Sequence, residues 1–201
     1  MEQAPMKKRK RQALETKERI FNATISLIKE RGFSNVLMED ITQRAGVSAG
    51  LFYNYFASKA DVLTESFYYR SSKYYDSMEQ EWLKDAKGLE KLHLIVHHMA
   101  VLRQEIYDKE ELRQHHMNLL AMQDRLEDVQ ENSGKLFKMI TESISEAHEN
   151  GELPENTDLN ALRDTVLLVL RGATWEYLAA YDHYPFEERC WNIISSYIKG
   201  L

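Results

Sequence analysis

The residues best suited to a recognisable chemistry are three consecutive small ones, Ser48, Ala49 and Gly50. Small side chains let the backbone come close to phosphate groups and base edges. If these residues open a helix, the free N–H groups of its first turn also point at phosphate. The stretch therefore favours contact with DNA through the start of a helix.

Two short helices must position these residues. The first is predicted over about Met38 to Ala45, and Gly46 supplies the sharp turn that follows. Ser48 then caps a second short helix, because its side-chain oxygen can accept the backbone N–H of Leu51. This pattern predicts a helix-turn-helix whose second helix lies in the major groove.

The same segment resembles the tetracycline-repressor-like family of bacterial regulators. Every fixed position of that family's signature is matched, at Ala45, Gly46, Val47, Ser48, Gly50, Tyr53, Tyr55, Phe56 and Lys59. The resemblance continues upstream through Ile20, Ala23, Leu27, Gly32 and Phe33, so that it covers about the first 65 residues. Beyond them, only the predicted helical architecture is comparable.

The resemblance implies that Tyr53 and Lys59 contact phosphates, and that Tyr55 packs or contacts phosphate. It also places five residues of the recognition helix near bases or backbone: Ser48, Ala49, Gly50, Leu51 and Asn54. Two alternatives stay open, namely that both tyrosines pack the small core and that Lys59 is merely solvated. The family further implies double-stranded operator DNA, a homodimer, and a repressor that an unknown small-molecule effector releases.

Charge is unevenly distributed in this chain of 201 residues and net charge −6. Residues 1–70 hold 12 Lys and Arg against 8 Asp and Glu, whereas the remainder holds 14 against 24. A basic N-terminal part followed by an acidic remainder suits DNA binding. The phosphates of DNA attract the Lys and Arg side chains of the N-terminal part and repel the acidic remainder. The unbroken run Lys7–Arg11 is expected to be a mobile arm, either solubilising or tracking the minor groove.

Helical periodicity and few Gly or Pro residues predict an all-α fold. We expect a basic arm at 1–11, a helix-turn-helix domain at 12–57 and a helical ligand-binding and dimerisation domain at 58–201, in which residues 58–85 form a connecting helix. The predicted later helices span about 89–107, 109–122, 124–149, 159–180 and 186–199.

Aromatic, Met and buried polar side chains in the second domain suggest a ligand pocket between helices. The candidates are Tyr74, Met78, Trp82, His97, Met117, Arg171 and Trp175. The last two helices are expected to pair with their twofold mates. The candidate interface residues are Val166, Leu170, Trp191, Ile194 and Ile198.

Other functions have weaker support. His93 and His97 have a spacing compatible with one metal ion, but no zinc-protease motif accompanies them, and we expect neither a metal nor another cofactor. No catalytic residues are assigned, because no nucleophile or phosphate-loop motif is present, and we expect a protein that is not an enzyme. A constitutive architectural DNA-binding protein and a helical metal-dependent enzyme remain alternatives. With a single cysteine, Cys190, and no membrane-length apolar run, a cytoplasmic location without a membrane role is expected.

Overall fold

A computed structural model describes residues 5–121, 134–180 and 184–201. Within these ranges the chain forms helices and no strand, which confirms the all-α prediction. The helices are α1 Pro5–Arg31, α2 Met38–Ala45, α3 Ala49–Tyr53, α4 Lys59–Ser77, α5 Gly88–Val101, α6 Lys109–Ala121, α7 Gly134–Glu149, α8 Leu159–Ala179 and α9 Phe186–Lys199.

Three shorter helical segments complete the described architecture. A 3₁₀ turn at Phe33–Asn35 follows α1. Helix α4 ends in a π-helical turn at Met78–Trp82, and α5 ends in another at Leu102–Ile106. The helix expected over 124–149 is described from Gly134 onward, and residues 124–133 lie outside the described ranges.

The described residues fall into two compact units. The first contains residues 5–70 and 110–121, and the second contains 71–109, 134–180 and 184–201. Helix α4 therefore changes unit between Arg70 and Ser71, whereas α6 belongs with the N-terminal unit. The segments proposed from the sequence, divided at residue 57, differ from this division because sequence order does not reveal which distant helix packs against α4.

The core of the first unit consists of apolar side chains that recur at helical spacing in the sequence. Fully buried members of this core include Ile20, Leu27, Ile41, Phe52 and Leu63. Phe56 packs against Phe21, with ring centroids 5.7 Å apart. Burying each such side chain contributes about 1.5–3 kcal/mol, so this core fixes the three N-terminal helices and the start of α4.

The basic arm differs from expectation. Helix α1 begins at Pro5, so the five cations Lys7–Arg11 occupy its first turns, and those from Lys8 onward are exposed. Proline suits the first helical position, because its missing N–H has no partner there and its φ is already helical. The helix also gains an ion pair between Arg11 and Glu15, at 3.4 Å.

The second unit has its own core. Helix α5 packs against α7 and α9, and α8 packs against the same two helices. Fully buried side chains from these elements include Leu92, Ile95, Ile140, Phe186 and Ile194. No helix among the residues that the structure describes is both long and apolar enough to cross a membrane.

Candidate functional site

The turn between α2 and α3 is set by Gly46, which adopts the left-handed conformation with φ 64°. Its N–H donates to the Gln43 carbonyl at 3.3 Å, and the N–H of Val47 donates to Thr42 O at 3.0 Å. The Arg19 guanidinium also donates to the carbonyl of Ala45 at 3.3 Å. Three of the last four carbonyls of α2 thus accept hydrogen bonds, and the turn holds α3 at a fixed angle.

Helix α3 presents one face to the core and the other to solvent. The Ser48 hydroxyl accepts the N–H of Leu51 at 3.1 Å, which is the predicted cap. Phe52 is fully buried and anchors the helix. Opposite it, Ser48, Ala49, Gly50, Leu51, Tyr53 and Asn54 are exposed.

The two tyrosines of this segment differ in exposure. Tyr53 is 59% exposed, so it does not pack the core and its hydroxyl is available for a phosphate. Tyr55 is half-buried, with its ring 6.3 Å from that of Phe56, and serves packing. The exposed face therefore combines small residues, a phenol and an amide, a set able to approach a groove closely.

Helix α2 is braced against α1 by two ion pairs. Arg44 makes a bidentate pair with Glu30, at 2.5 and 2.9 Å, and Arg31 pairs with Asp40 at 3.2 Å. The hydrogen bond from Arg44 lowers the pKa of Glu30 to about 2. Asp40 also accepts the N–H of Leu37 at the start of α2. These contacts fix the support on which α3 stands.

The Lys59 ammonium lies against backbone carbonyls of the protein, whereas the family resemblance implies that it contacts a DNA phosphate. Its ammonium donates to the carbonyls of Phe33 at 2.7 Å and Val36 at 2.8 Å, and it sits 4.5 Å from the Phe33 ring centroid. Two carbonyls and a ring face together hold the cation. In this structure Lys59 fastens the start of α4 to the turn after α1, and phosphate contact stays a prediction.

Replacing Lys59 with methionine should lower the free energy of unfolding by about 1–3 kcal/mol, since two carbonyls lose a charged donor. Lys29→Met is the matched control, because Lys29 is exposed on α1. Denaturant unfolding measures both. If K59M unfolds like K29M, yet its affinity for DNA falls less steeply with salt, then Lys59 serves a phosphate and not the turn.

Four of the candidate pocket residues are either buried in the core or exposed at the surface. Met78 is fully buried in the core, Arg171 and Trp175 are exposed on α8, and Met117 is exposed on α6 in the first unit. Composition indicates residue types suited to a pocket but not the direction in which each side chain points, so a pocket role for these four residues stays a prediction.

Three of the candidates do lie in one aromatic cluster of the second unit. The Tyr74 hydroxyl is 2.9 Å from Nδ1 of His98, and Trp82 stacks on the same imidazole with centroids 4.4 Å apart. Burial lowers the pKa of His98. The neighbouring His97 is held by Glu187 at 2.7 Å, so this cluster links α4, α5 and α9.

Beside this cluster lies an open cavity of about 330 Å³. His93 stacks on Trp191 at its wall, with ring centroids 4.2 Å apart, and Gln104 and Glu188 also line it. Among the described residues, no group of three His, Cys, Asp or Glu is arranged to hold a metal ion. Cys190 is buried, and burial raises its pKa to about 11, so the thiol stays protonated at neutral pH.

The predicted dimer residues mostly face the interior of the protomer. Val166, Leu170 and Ile194 are buried in the second core, Trp191 stacks on His93, and Ile198 is half-buried. Their positions on these helices were inferred from apolar periodicity, which marks the core face first. The outward faces carry a second apolar set, consisting of Leu168, Trp175, Ile193 and Tyr197.

Comparison with known proteins gives consistent results. Residues 20–65 match the family model described as bacterial regulatory proteins, tetR family. The fatty acid metabolism regulator protein of Bacillus subtilis (strain 168) is 26% identical over 152 residues, which are 73% of this chain and 75% of that protein.

Two solved structures share the fold. The transcriptional regulator FadR from Bacillus subtilis, in complex with stearoyl-CoA, has a TM-score of 0.71 at 21% identity, covering 92% of this chain and 98% of that one. FadR from Thermus thermophilus, a TetR-family transcriptional repressor in complex with lauroyl-CoA, has a TM-score of 0.68 at 20% identity, covering 92% and 94%.

Proposed function

Because this chain belongs to the tetR family of bacterial regulatory proteins, we propose that it represses transcription as a homodimer and leaves its operator when an acyl-CoA binds. The chain is a helix-turn-helix transcriptional regulator that responds to a ligand. The homodimer, the acyl-CoA and the individual contact residues are our proposals. We further propose that the protein acts on DNA in the cytoplasm and catalyses no reaction.

The observation that carries DNA binding is the exposed face of α3. Its backbone is open to solvent at Ser48, Ala49 and Gly50, and the buried Phe52 ring holds that face outward. The first turn of such a helix can enter the major groove, with Tyr53 directed to phosphate. Leu51 can contact a thymine methyl and Asn54 can bond to a base edge.

A homodimer is supported by the outward faces of α8 and α9. Leu168 is 66% exposed and Ile193 is 54% exposed, and each lies one helical turn or two from an exposed aromatic. A second copy of this chain can cover both faces at once through a twofold axis. That symmetry also suits the operator, because paired recognition helices about 34–36 Å apart reach successive major grooves.

Replacing Leu168 with glutamate should convert the protein to a monomer at micromolar concentration, because a charge would be buried at the twofold interface. Sedimentation velocity measures this. Leu14→Glu is the control, since Leu14 is an exposed leucine on α1, and it should leave the dimer intact. A dimeric L168E, or a monomeric wild type, would mean that these faces do not form the interface.

The acyl-CoA proposal has support from the relatives. One of them is named a regulator of fatty acid metabolism, and two structures of the same fold hold stearoyl-CoA and lauroyl-CoA. A constitutive architectural protein would not be released from DNA by a ligand. Ligand-induced release therefore distinguishes a regulator from an architectural protein.

The decisive experiment selects a binding sequence from a random duplex pool with the purified protein, then titrates lauroyl-CoA into the complex. We expect a pseudo-palindromic site, and release that weakens DNA binding by roughly 5- to 150-fold. A pool without enrichment would contradict sequence-specific binding. An enriched site that neither lauroyl-CoA nor stearoyl-CoA releases would contradict the effector proposal while leaving the regulator intact.

A further inference from the structure

Helices α4 and α6 meet inside the first unit through a row of polar and aromatic side chains. Arg70 on α4 pairs with Glu111 on α6, and Glu111 is fully buried. Toward the start of α4, the Phe67 ring stacks on the His115 imidazole with centroids 3.8 Å apart. From the first of these contacts to the second, the residue number decreases on α4 and increases on α6. The two helices are therefore antiparallel. In this register, Thr64 and Asn118 each lie about one turn farther along their helices, beyond Phe67 and His115.

Three polar atoms along this row are shielded from solvent and have no hydrogen-bond partner within the described part of the chain. They are Oγ1 of Thr64, Nδ1 of His115 and Nδ2 of Asn118. His115 is 1% exposed and Asn118 is 8% exposed. The Oδ1 atom of Asn118 accepts Gln114 Nε2 at 3.0 Å, so its NH₂ group alone lacks an acceptor.

Unpartnered buried polar atoms are rare in folded proteins, because each costs free energy that a hydrogen bond would return. Here three of them lie within two turns of two facing helices. Such a grouping can supply several hydrogen bonds to one bound polar group.

The electrostatics of the row select a neutral guest. The charges of Arg70 and Glu111 cancel each other. Burial, reinforced by His116 and Arg70, lowers the pKa of His115 to about 3, so that the imidazole is neutral at physiological pH. A carboxylate or an ammonium would find no opposite charge to compensate its lost hydration.

We infer that Thr64, His115 and Asn118 form a binding site for a neutral oxygen-bearing group of a small molecule, a carbonyl or a hydroxyl. The Asn118 amide and the Thr64 hydroxyl donate to the oxygen, and His115 adds a third hydrogen bond. Phe67 and the nearby Tyr68 ring, 5.5 Å from His115, supply apolar walls. This assignment rests on the proposed function, since the thioester carbonyl of an acyl-CoA is such a group. It would make the effector contact α4 within the unit that carries α3.

The test replaces each unpartnered group with an apolar one of similar shape, in Thr64→Val and Asn118→Leu. Removing the unpartnered Thr64 hydroxyl costs no hydrogen bond, so T64V should keep or raise the midpoint of thermal unfolding, by up to roughly 2–4 °C. N118L also removes the Oδ1 atom that accepts Gln114 Nε2, so this variant is judged by ligand binding and not by stability. Thr24→Val is the matched control. The Thr24 hydroxyl is equally buried but donates to the Ile20 carbonyl at 2.8 Å, so this variant should be less stable.

Titration calorimetry with lauroyl-CoA provides the second readout. The affinity of T64V and of N118L should fall about tenfold or more, while T24V should bind like the wild type. The inference is overturned if T64V loses stability as T24V does, or if T64V and N118L both bind lauroyl-CoA within twofold of the wild type.

The two proposals can fail separately. If the wild type does not bind lauroyl-CoA, the acyl-CoA effector is excluded, and 1-dodecanol then tests the site, because it offers a neutral hydroxyl without a thioester or a nucleotide. Dodecanol binding that N118L weakens would support the site. If the wild type binds neither molecule, the inference is wrong.

Discussion

Replacing Arg70 with methionine should lower the free energy of unfolding by about 3–5 kcal/mol, because the fully buried carboxylate of Glu111 would lose its compensating charge. Removing both charges in R70M/E111L should restore most of that stability, since two well-packed apolar side chains replace a desolvated pair. Denaturant unfolding of the single and double variants measures the difference.

Arg113→Met provides the control. Arg113 pairs with Glu110 at 2.5 Å on the same helix, but both side chains are more than 40% exposed, so this variant should change stability by less than about 1 kcal/mol. Equal stabilities for R70M and R113M would show that the buried pair contributes no more than a surface pair. A double variant less stable than R70M would show that the ion pair does not explain the loss.

Replacing Gly50 with glutamate should weaken binding to the selected operator by roughly 100-fold or more while leaving the fold intact. A Cβ atom at Gly50 meets nothing within 4 Å, so the change strains no neighbour. The new carboxylate would stand on the exposed face of α3, where apposed like charges cost several kcal/mol. Fluorescence anisotropy with labelled duplex measures the affinity, and circular dichroism verifies the fold.

Two controls separate the position from the charge. Gly50→Ala adds a methyl group without a charge and should bind within a few-fold of the wild type. Gly134→Glu adds the same carboxylate at the start of α7, where a Cβ also meets nothing within 4 Å. A G50E protein that binds like G134E would move the DNA-binding surface away from α3.

The local signals around the recognition helix were sufficient to predict its structure. Helix α2 has the predicted bounds, Gly46 makes the turn, and Ser48 caps α3 through Leu51. Each of these features depends on residues within a few positions of one another, where capping and the left-handed conformation restrict the backbone strongly. The resemblance to the family was carried by the same residues.

Features that depend on tertiary partners could not be predicted from the sequence. The segment Thr165 to Leu170 is apolar on several sides of α8, so periodicity could not tell the core face of Val166 from the outward face of Leu168. For Lys59, the carbonyls of Phe33 and Val36 come from residues more than 20 positions away. The burial of His115 on α6 could not be predicted either, because the adjacent residues His115 and His116 are identical in type and only the fold buries one of the two imidazoles.

The membership of α6 in the first unit has a consequence for how such regulators can exchange their DNA specificity. The unit that carries α3 is not a continuous stretch of chain, because Glu111 and His115 are contributed from beyond residue 109. A recombination event that joined a foreign N-terminal segment at residue 57 or 85 would introduce a new recognition helix α3 but retain the original α6. Chimeras with α4 from one parent and α6 from another would set Arg70 or Phe67 against mismatched neighbours. Functional hybrids should therefore be found mainly where the crossover also preserves the pairing of these two helices.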